Sequence, residues 1–125
     1  MTIKLANGSE LNPIQCVGGP RYLQGANRDA LTFIFPAKTS LDELDQLFTA
    51  EACEAITIVE NNGAEHIHNG YTLRAELKRE PVEVAAATES AEAVYEDRVM
   101  VTMAQRTYME TRMAQLEALY KQITG

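Results

Sequence analysis

Residues 31–60 constrain the chain most, because they hold two strong strand signals with one sharply bounded short helix between them. Leu31-Thr32-Phe33-Ile34-Phe35 is apolar or β-branched at every position, which predicts a strand covered on both faces or nearly so. Pro36 ends it. Ser40 then stands three residues before Glu43, the spacing at which each side chain satisfies a free backbone N–H of the other at a helix start. Asp42 and Glu43 complement the positive end of the helix. Leu41, Leu44, Leu47 and Phe48 form one apolar stripe and leave Asp42, Asp45 and Gln46 toward water, so residues 40–49 are predicted to be a helix lying on a sheet. Ala55-Ile56-Thr57-Ile58-Val59-Glu60 is the second strand. Asn61-Asn62-Gly63 supplies the positive-φ residues of a tight hairpin, which turns the chain back into His66-Ile67-His68. The two strands are far enough apart in sequence to run either parallel, through a crossover, or antiparallel.

The flanks add strands on both sides. Thr2-Ile3-Lys4-Leu5 alternates, Asn7-Gly8 turns, and residues 10–17 return with Pro13 at an edge position, giving a first hairpin. Gly18-Gly19-Pro20 is expected to break it, and residues 21–29, with Gly25 and Asn27 among them, to form a connection or an irregular edge. Tyr71, Leu73, Ala75 and Leu77 alternate with Thr72, Arg74, Glu76 and Lys78, which predicts one buried and one wet face, with Pro81 closing the strand after at most a short extension through Val82 and Val84. Residues 85–95 are too small and acidic to build core and are expected to be a mobile loop or a short helix. Val99, Val101 and Met103 then share one face of a further strand. The predicted organisation is one domain: a β-rich core over residues 1–84 containing the helix at 40–49, an acidic Ala/Glu loop at 85–95, and a final strand and C-terminal helix over 96–125. The fold class is α+β, a mostly antiparallel β sandwich or barrel with one short packed helix and a longer C-terminal helix.

That last helix is expected over residues 107–123. Met109, Met113, Leu116, Tyr120 and Ile123 step by four, three, four and three, which is heptad spacing, and Glu117 and Lys121 form an i,i+4 pair outside it. These five residues are the candidate interface. Leu119 widens the stripe, so the pattern suits packing on the helix's own subunit as well as association between subunits, with a frayed tail as the third alternative.

Eighteen acidic against eleven basic residues give a net charge of −7, with an isoelectric point near 4.8. Such a balance opposes binding to nucleic acid phosphates or anionic lipid, so neither nucleic acid nor membrane is an expected partner. No apolar run is long enough to span a bilayer, and the N-terminus lacks the order of a secretory signal, so the chain is expected to be cytoplasmic at synthesis. Cys16 and Cys53 are far apart and outside any CxxC pattern, and read as reduced core or near-core thiols. His66 and His68 share one side of a strand, but two ligands do not make a zinc site and Glu65 faces the other way, so no metal and no cofactor are expected. Ser9, Ser40 and Ser90 sit at a turn, a helix cap and a loop without a nucleophile-elbow pattern, and no carboxylate pair stands out as acid and base. No catalytic residue is assigned, and the chain is not expected to be an enzyme.

Five segments carry a family resemblance: Ile3-Lys4-Leu5-Ala6-Asn7-Gly8-Ser9-Glu10-Leu11, Arg28-Asp29-Ala30-Leu31-Thr32-Phe33, Gly70-Tyr71-Thr72-Leu73-Arg74-Ala75-Glu76-Leu77, Tyr95-Glu96-Asp97-Arg98 and Met103-Ala104-Gln105-Arg106-Thr107-Tyr108. In these the chain resembles a group of small proteins from phage and prophage structural gene clusters of Gram-positive bacteria, almost from end to end. The resemblance implies a virion component of the tail, found in the virion after assembly, with other phage structural proteins as partners and homo-oligomerisation. It brings no catalytic or ligand residues with it. The alternative is a small cytoplasmic binding or regulatory module using a pocket between helix and sheet.

Overall fold

The computed structural model describes residues 1–124, with side chains through Ile123; Gly125, the end of the predicted 96–125 unit, lies outside them. Eight strands and two α-helices follow in the order β1 (Thr2–Lys4), β2 (Glu10–Leu11), β3 (Gln15–Leu23), β4 (Ala26–Pro36), α1 (Leu41–Leu47), β5 (Ala55–Val59), β6 (Glu65–Asn69), β7 (Leu73–Ala85), β8 (Val94–Ala104) and α2 (Tyr108–Thr124), with a 3-10 turn at Ala52–Glu54. Two four-stranded sheets form, ordered β2-β1-β5-β6 and β3-β4-β8-β7, and every pairing is antiparallel. The fold is α+β, a packed pair of sheets and not a closed barrel.

The two strand signals of residues 31–60 each become a central strand, but of different sheets. β4 lies between β3 and β8, β5 lies between β1 and β6, and α1 is the connection that crosses from one sheet to the other. Neither a parallel nor an antiparallel pair therefore forms between them. The core sits between the sheets: Ile3 and Leu5 with Ile56 and Ile58 from one, Leu31, Phe33 and Phe35 with Val99, Val101 and Met103 from the other. α1 adds Leu44 and Phe48, and the Phe48 ring lies 5.6 Å from Phe33 and 6.3 Å from Phe35. Burying a set of side chains this size contributes roughly 1.5–3 kcal/mol for each large one. The space between helix and sheets is thus filled by the core's own rings.

Three expectations are corrected. The first is the break at Gly18-Gly19-Pro20, through which β3 runs without interruption, Pro20 opposite Asp29. β3 is an edge strand, and an edge tolerates a residue that cannot donate to a neighbour. Residues 21–29 accordingly form a hairpin. Its two-residue turn places Gln24 at φ 49° and Gly25 at φ 80°, the doubly positive combination whose twist matches the flanking strands.

The second correction concerns the face shared by Tyr71, Leu73, Ala75 and Leu77. Arg74 pairs with Met103 and Glu76 with Thr102, so Ala75 is the extra residue of a β-bulge and the alternation changes phase there. Beyond it Leu77 and Arg79 lie opposite Val101 and Val99. The phase change has a use. Arg74 reaches the C-terminal end of α1, donating to the carbonyls of Asp45 (3.0 Å) and Phe48 (2.7 Å) and pairing with the Asp45 carboxylate, while Arg79 donates to the carbonyls of Ala37 and Thr39 ahead of the helix. α1 has no basic residue in its own last turn, so a strand arginine supplies the cation its carbonyls favour.

The third correction is to the bounds of the loop at 85–95. β7 includes the extension expected through Val82 and Val84 and runs to Ala85, and β8 begins at Val94, which leaves residues 86–93 between them. β4 stops pairing with β8 at Pro36 opposite Arg98, and past that point β7 and β8 pair only with each other, as in Val82 with Glu96 and Glu83 with Tyr95. A two-stranded arm thus projects beyond the sheet. Its sequence from 81 to 97 carries Glu83, Glu89, Glu92, Glu96 and Asp97 and no basic residue.

Candidate assembly surfaces

At the end of β8 the chain passes through Gln105, Arg106 and Thr107, and both sheets converge on this short segment. From the β3–β4 sheet, Asp29 accepts the backbone N–H of Gln105 at 2.8 Å; from the other, the carbonyl of Gly70 accepts that of Arg106 at 2.9 Å. The Gln105 side-chain amide donates to the Asn69 carbonyl at 3.1 Å, and Arg106 pairs with Glu54 at 2.8 Å. Thr107 then caps α2. Its hydroxyl accepts the N–H of Glu110 at 3.2 Å while the Glu110 carboxylate accepts the N–H of Thr107 at 2.9 Å, a reciprocal capping box.

Arg28 fastens this segment to the body. Its side chain is 1% exposed, and its Nε donates to the Leu23 carbonyl at 2.8 Å. Nη2 donates to the Gln24 carbonyl at 3.3 Å and to Glu110 at 3.2 Å, and Nη1 to the Gln105 carbonyl at 3.2 Å and to the other Glu110 oxygen. A guanidinium has five N–H groups, and here all five are used. The Arg28 guanidinium, with the Thr107 N–H second, holds the Glu110 carboxyl down at about 2 from the ordinary 4.5.

Beyond this root α2 leaves the body. Every residue from Arg112 to Ile123 is exposed. The predicted interface residues are therefore all placed on the outside: Met109, Met113, Leu116, Tyr120 and Ile123 are between 54% and 83% exposed, with Leu119 beside them at 54%. The helix is held at its base, and from Arg112 to Ile123 its residues, the stripe included, are exposed rather than buried against the sheets. Hollows of about 270 and 520 Å³ flank the base on two sides, the first against Pro20, Asn27 and Arg28, the second against Glu54, Asn69 and Gly70. An exposed apolar stripe along one helix marks a contact surface more strongly than scattered exposed leucines do.

Elsewhere the predicted features remain apart. Edge strand β6 places His66 and His68 on one side, opposite Ile58 and Ile56, where His68 meets the Tyr71 ring edge-on at 5.7 Å and His66 lies 3.8 Å from Glu60. Among the described residues no group of three or more His, Cys, Asp or Glu is placed to hold a metal ion. Both cysteines are free thiols, and burial pushes each up to about 11. Among the described residues no helix is long and apolar enough to cross a membrane. The residue that sequence reading missed is Arg28, although the T-x-x-E spacing of Thr107 and Glu110 is a legible helix start. Comparison with protein families, curated proteins and solved structures gives no match.

Proposed function

We propose that this protein is a virion structural subunit, a component of phage or prophage tail assembly that works by contact with other proteins and not by catalysis. The observation that carries the reading is α2, whose root is tied to both sheets and whose apolar stripe is exposed. The capping box and Arg28 fix where the helix starts and the direction in which it leaves the body, and a partner that covers the stripe supplies the burial that the single chain does not. The acidic arm of β7 and β8 gives a second projection, with strand edges free for pairing. The near full-length resemblance to phage structural proteins supplies the setting, and the net charge of −7 agrees with partners other than nucleic acid.

Disrupting the gene in the prophage that carries it tests the reading. Electron microscopy of induced lysates is expected to show normal heads without tails. Normal, infectious tails in the disrupted strain would remove the assignment.

A further inference from the structure

The stripe on α2 also says what covers it. With Met113 and Tyr120 at a positions and Met109, Leu116 and Ile123 at d positions, the residues flanking the seam at e and g are Glu110, Arg112, Glu117, Leu119 and Thr124. Glu110 is already held by Arg28. Arg112 and Glu117 are therefore the charges left to select a partner. In a parallel, in-register coiled coil, position g of one helix lies beside position e of the next heptad on its partner, five residues on, which brings Arg112 to Glu117 of the other copy at each seam. An antiparallel pair sets e against e, which brings Glu117 to Glu117 or Glu110, like charge to like.

We infer that the partner of α2 is α2 of a second copy of this chain, aligned parallel and in register, with Arg112 of each copy paired to Glu117 of the next. The inference rests on the reading of α2 as an assembly surface and names its occupant. In a single chain Arg112 donates to the Gln115 side chain at 3.1 Å, an exposed neutral contact that the guanidinium exchanges without loss of burial. Because all the helix roots lie at one end of such a bundle, the β sandwiches gather there and the acidic arms repeat around the symmetry axis. Leu119, at a g position, widens the seam, which suits three or more helices better than two.

Sedimentation equilibrium on the full chain tests this. Wild-type protein is expected to associate. Arg112→Glu should weaken association about tenfold, and Arg112→Glu combined with Glu117→Arg should restore it, with circular dichroism at monomeric concentration unchanged in both. In a Cys16→Ser background, Met109→Cys should give an inter-chain disulfide on mild oxidation, whereas a mixture of Met109→Cys and Ile123→Cys chains should give no enrichment of the 109–123 crosslink. Preferential 109–123 linkage, failure of the double charge exchange to restore association, or a monomer at every concentration would each overturn the inference. Those failures are separable from that of the proposed function: a monomer whose loss still yields tailless particles keeps the tail role and gives the stripe a different occupant. An in-register oligomer whose loss leaves infectious tails keeps the inference and removes the tail role.

Discussion

Arg28 and Glu110 hold the position at which the fold meets its projecting helix. Truncating Arg28 would strip the carbonyls of Leu23, Gln24 and Gln105 of a donor and leave Glu110 without its cation. Arg28→Ala is expected to cost roughly 3 kcal/mol of folding stability, a large fraction of what a domain this size has, measurable by chemical denaturation. Glu110 gives the pair an acid signature. Its carboxyl titrates at about 2 in the folded protein against an ordinary 4.5, so protons favour the unfolded chain between those values. The stabilisation is therefore full above about 4.5 and is lost as pH falls toward about 2. Amides 107–111 should lose exchange protection over that window in the wild type, and Glu110→Gln should show no such dependence. A carboxyl carbon of Glu110 that titrates near its ordinary value by NMR would show that the pair does not form.

The elements divide by how local their signals are. α1 was legible because its cap, stripe and first-turn acids all lie within nine residues, and the strand at Val99, Val101 and Met103 because those three apolar residues recur at every second position and all reach the core. The β3–β4 hairpin was not, since its turn is Gln-Gly where Asn-Gly or Asp-Gly is the strong signal, and Gly18-Gly19-Pro20 imitates a break. Pro20 is tolerated only because β3 ends up at an edge, which is a property of the finished sheet. The bulge at Ala75 was hidden for a similar reason: Leu73, Ala75 and Leu77 alternate in sequence, and the shifted register is visible only once β7 is paired with β8, where Arg74 and Arg79 reach the two ends of the α1 connection. Gln24 offers a direct check on the turn. Its left-handed backbone disfavours a side chain without local hydrogen-bonding reach, and asparagine tolerates that conformation better. Gln24→Asn should raise stability by about 0.5 kcal/mol, seen as a higher denaturant midpoint at unchanged slope. A fall in the midpoint would mean that the turn is of another type.

Across the whole molecule, stability is spread unevenly. The sandwich has the rings, the inward-facing strand residues and α1, whereas α2 has a capping box, one arginine and seventeen residues with almost nothing beneath them. A helix about 25 Å long that is exposed from Arg112 to Ile123 is marginal in water. The heptad spacing was readable in the sequence, but whether the stripe met its own sheets was not, because that depends on the direction in which Gln105, Arg106 and Thr107 launch the helix. In the single chain, then, the first turn of α2 should be held and the rest should fray, and only a partner covering Met113 and Leu116 would keep the whole helix formed. Hydrogen exchange at two protein concentrations distinguishes the cases. At dilution, amides beyond about residue 112 should exchange almost as fast as in a free peptide, while those of β4, β5 and β8 stay protected. At high concentration the α2 amides should gain protection together with the rise in mass, because association and helix formation are one equilibrium. Replacing Leu116 and Tyr120 by Glu should abolish that gain and leave the sandwich's melting temperature unchanged, since neither residue belongs to its core. If the double variant unfolds the sandwich instead, α2 packs on its own body in solution and the contact surface must be sought on the arm.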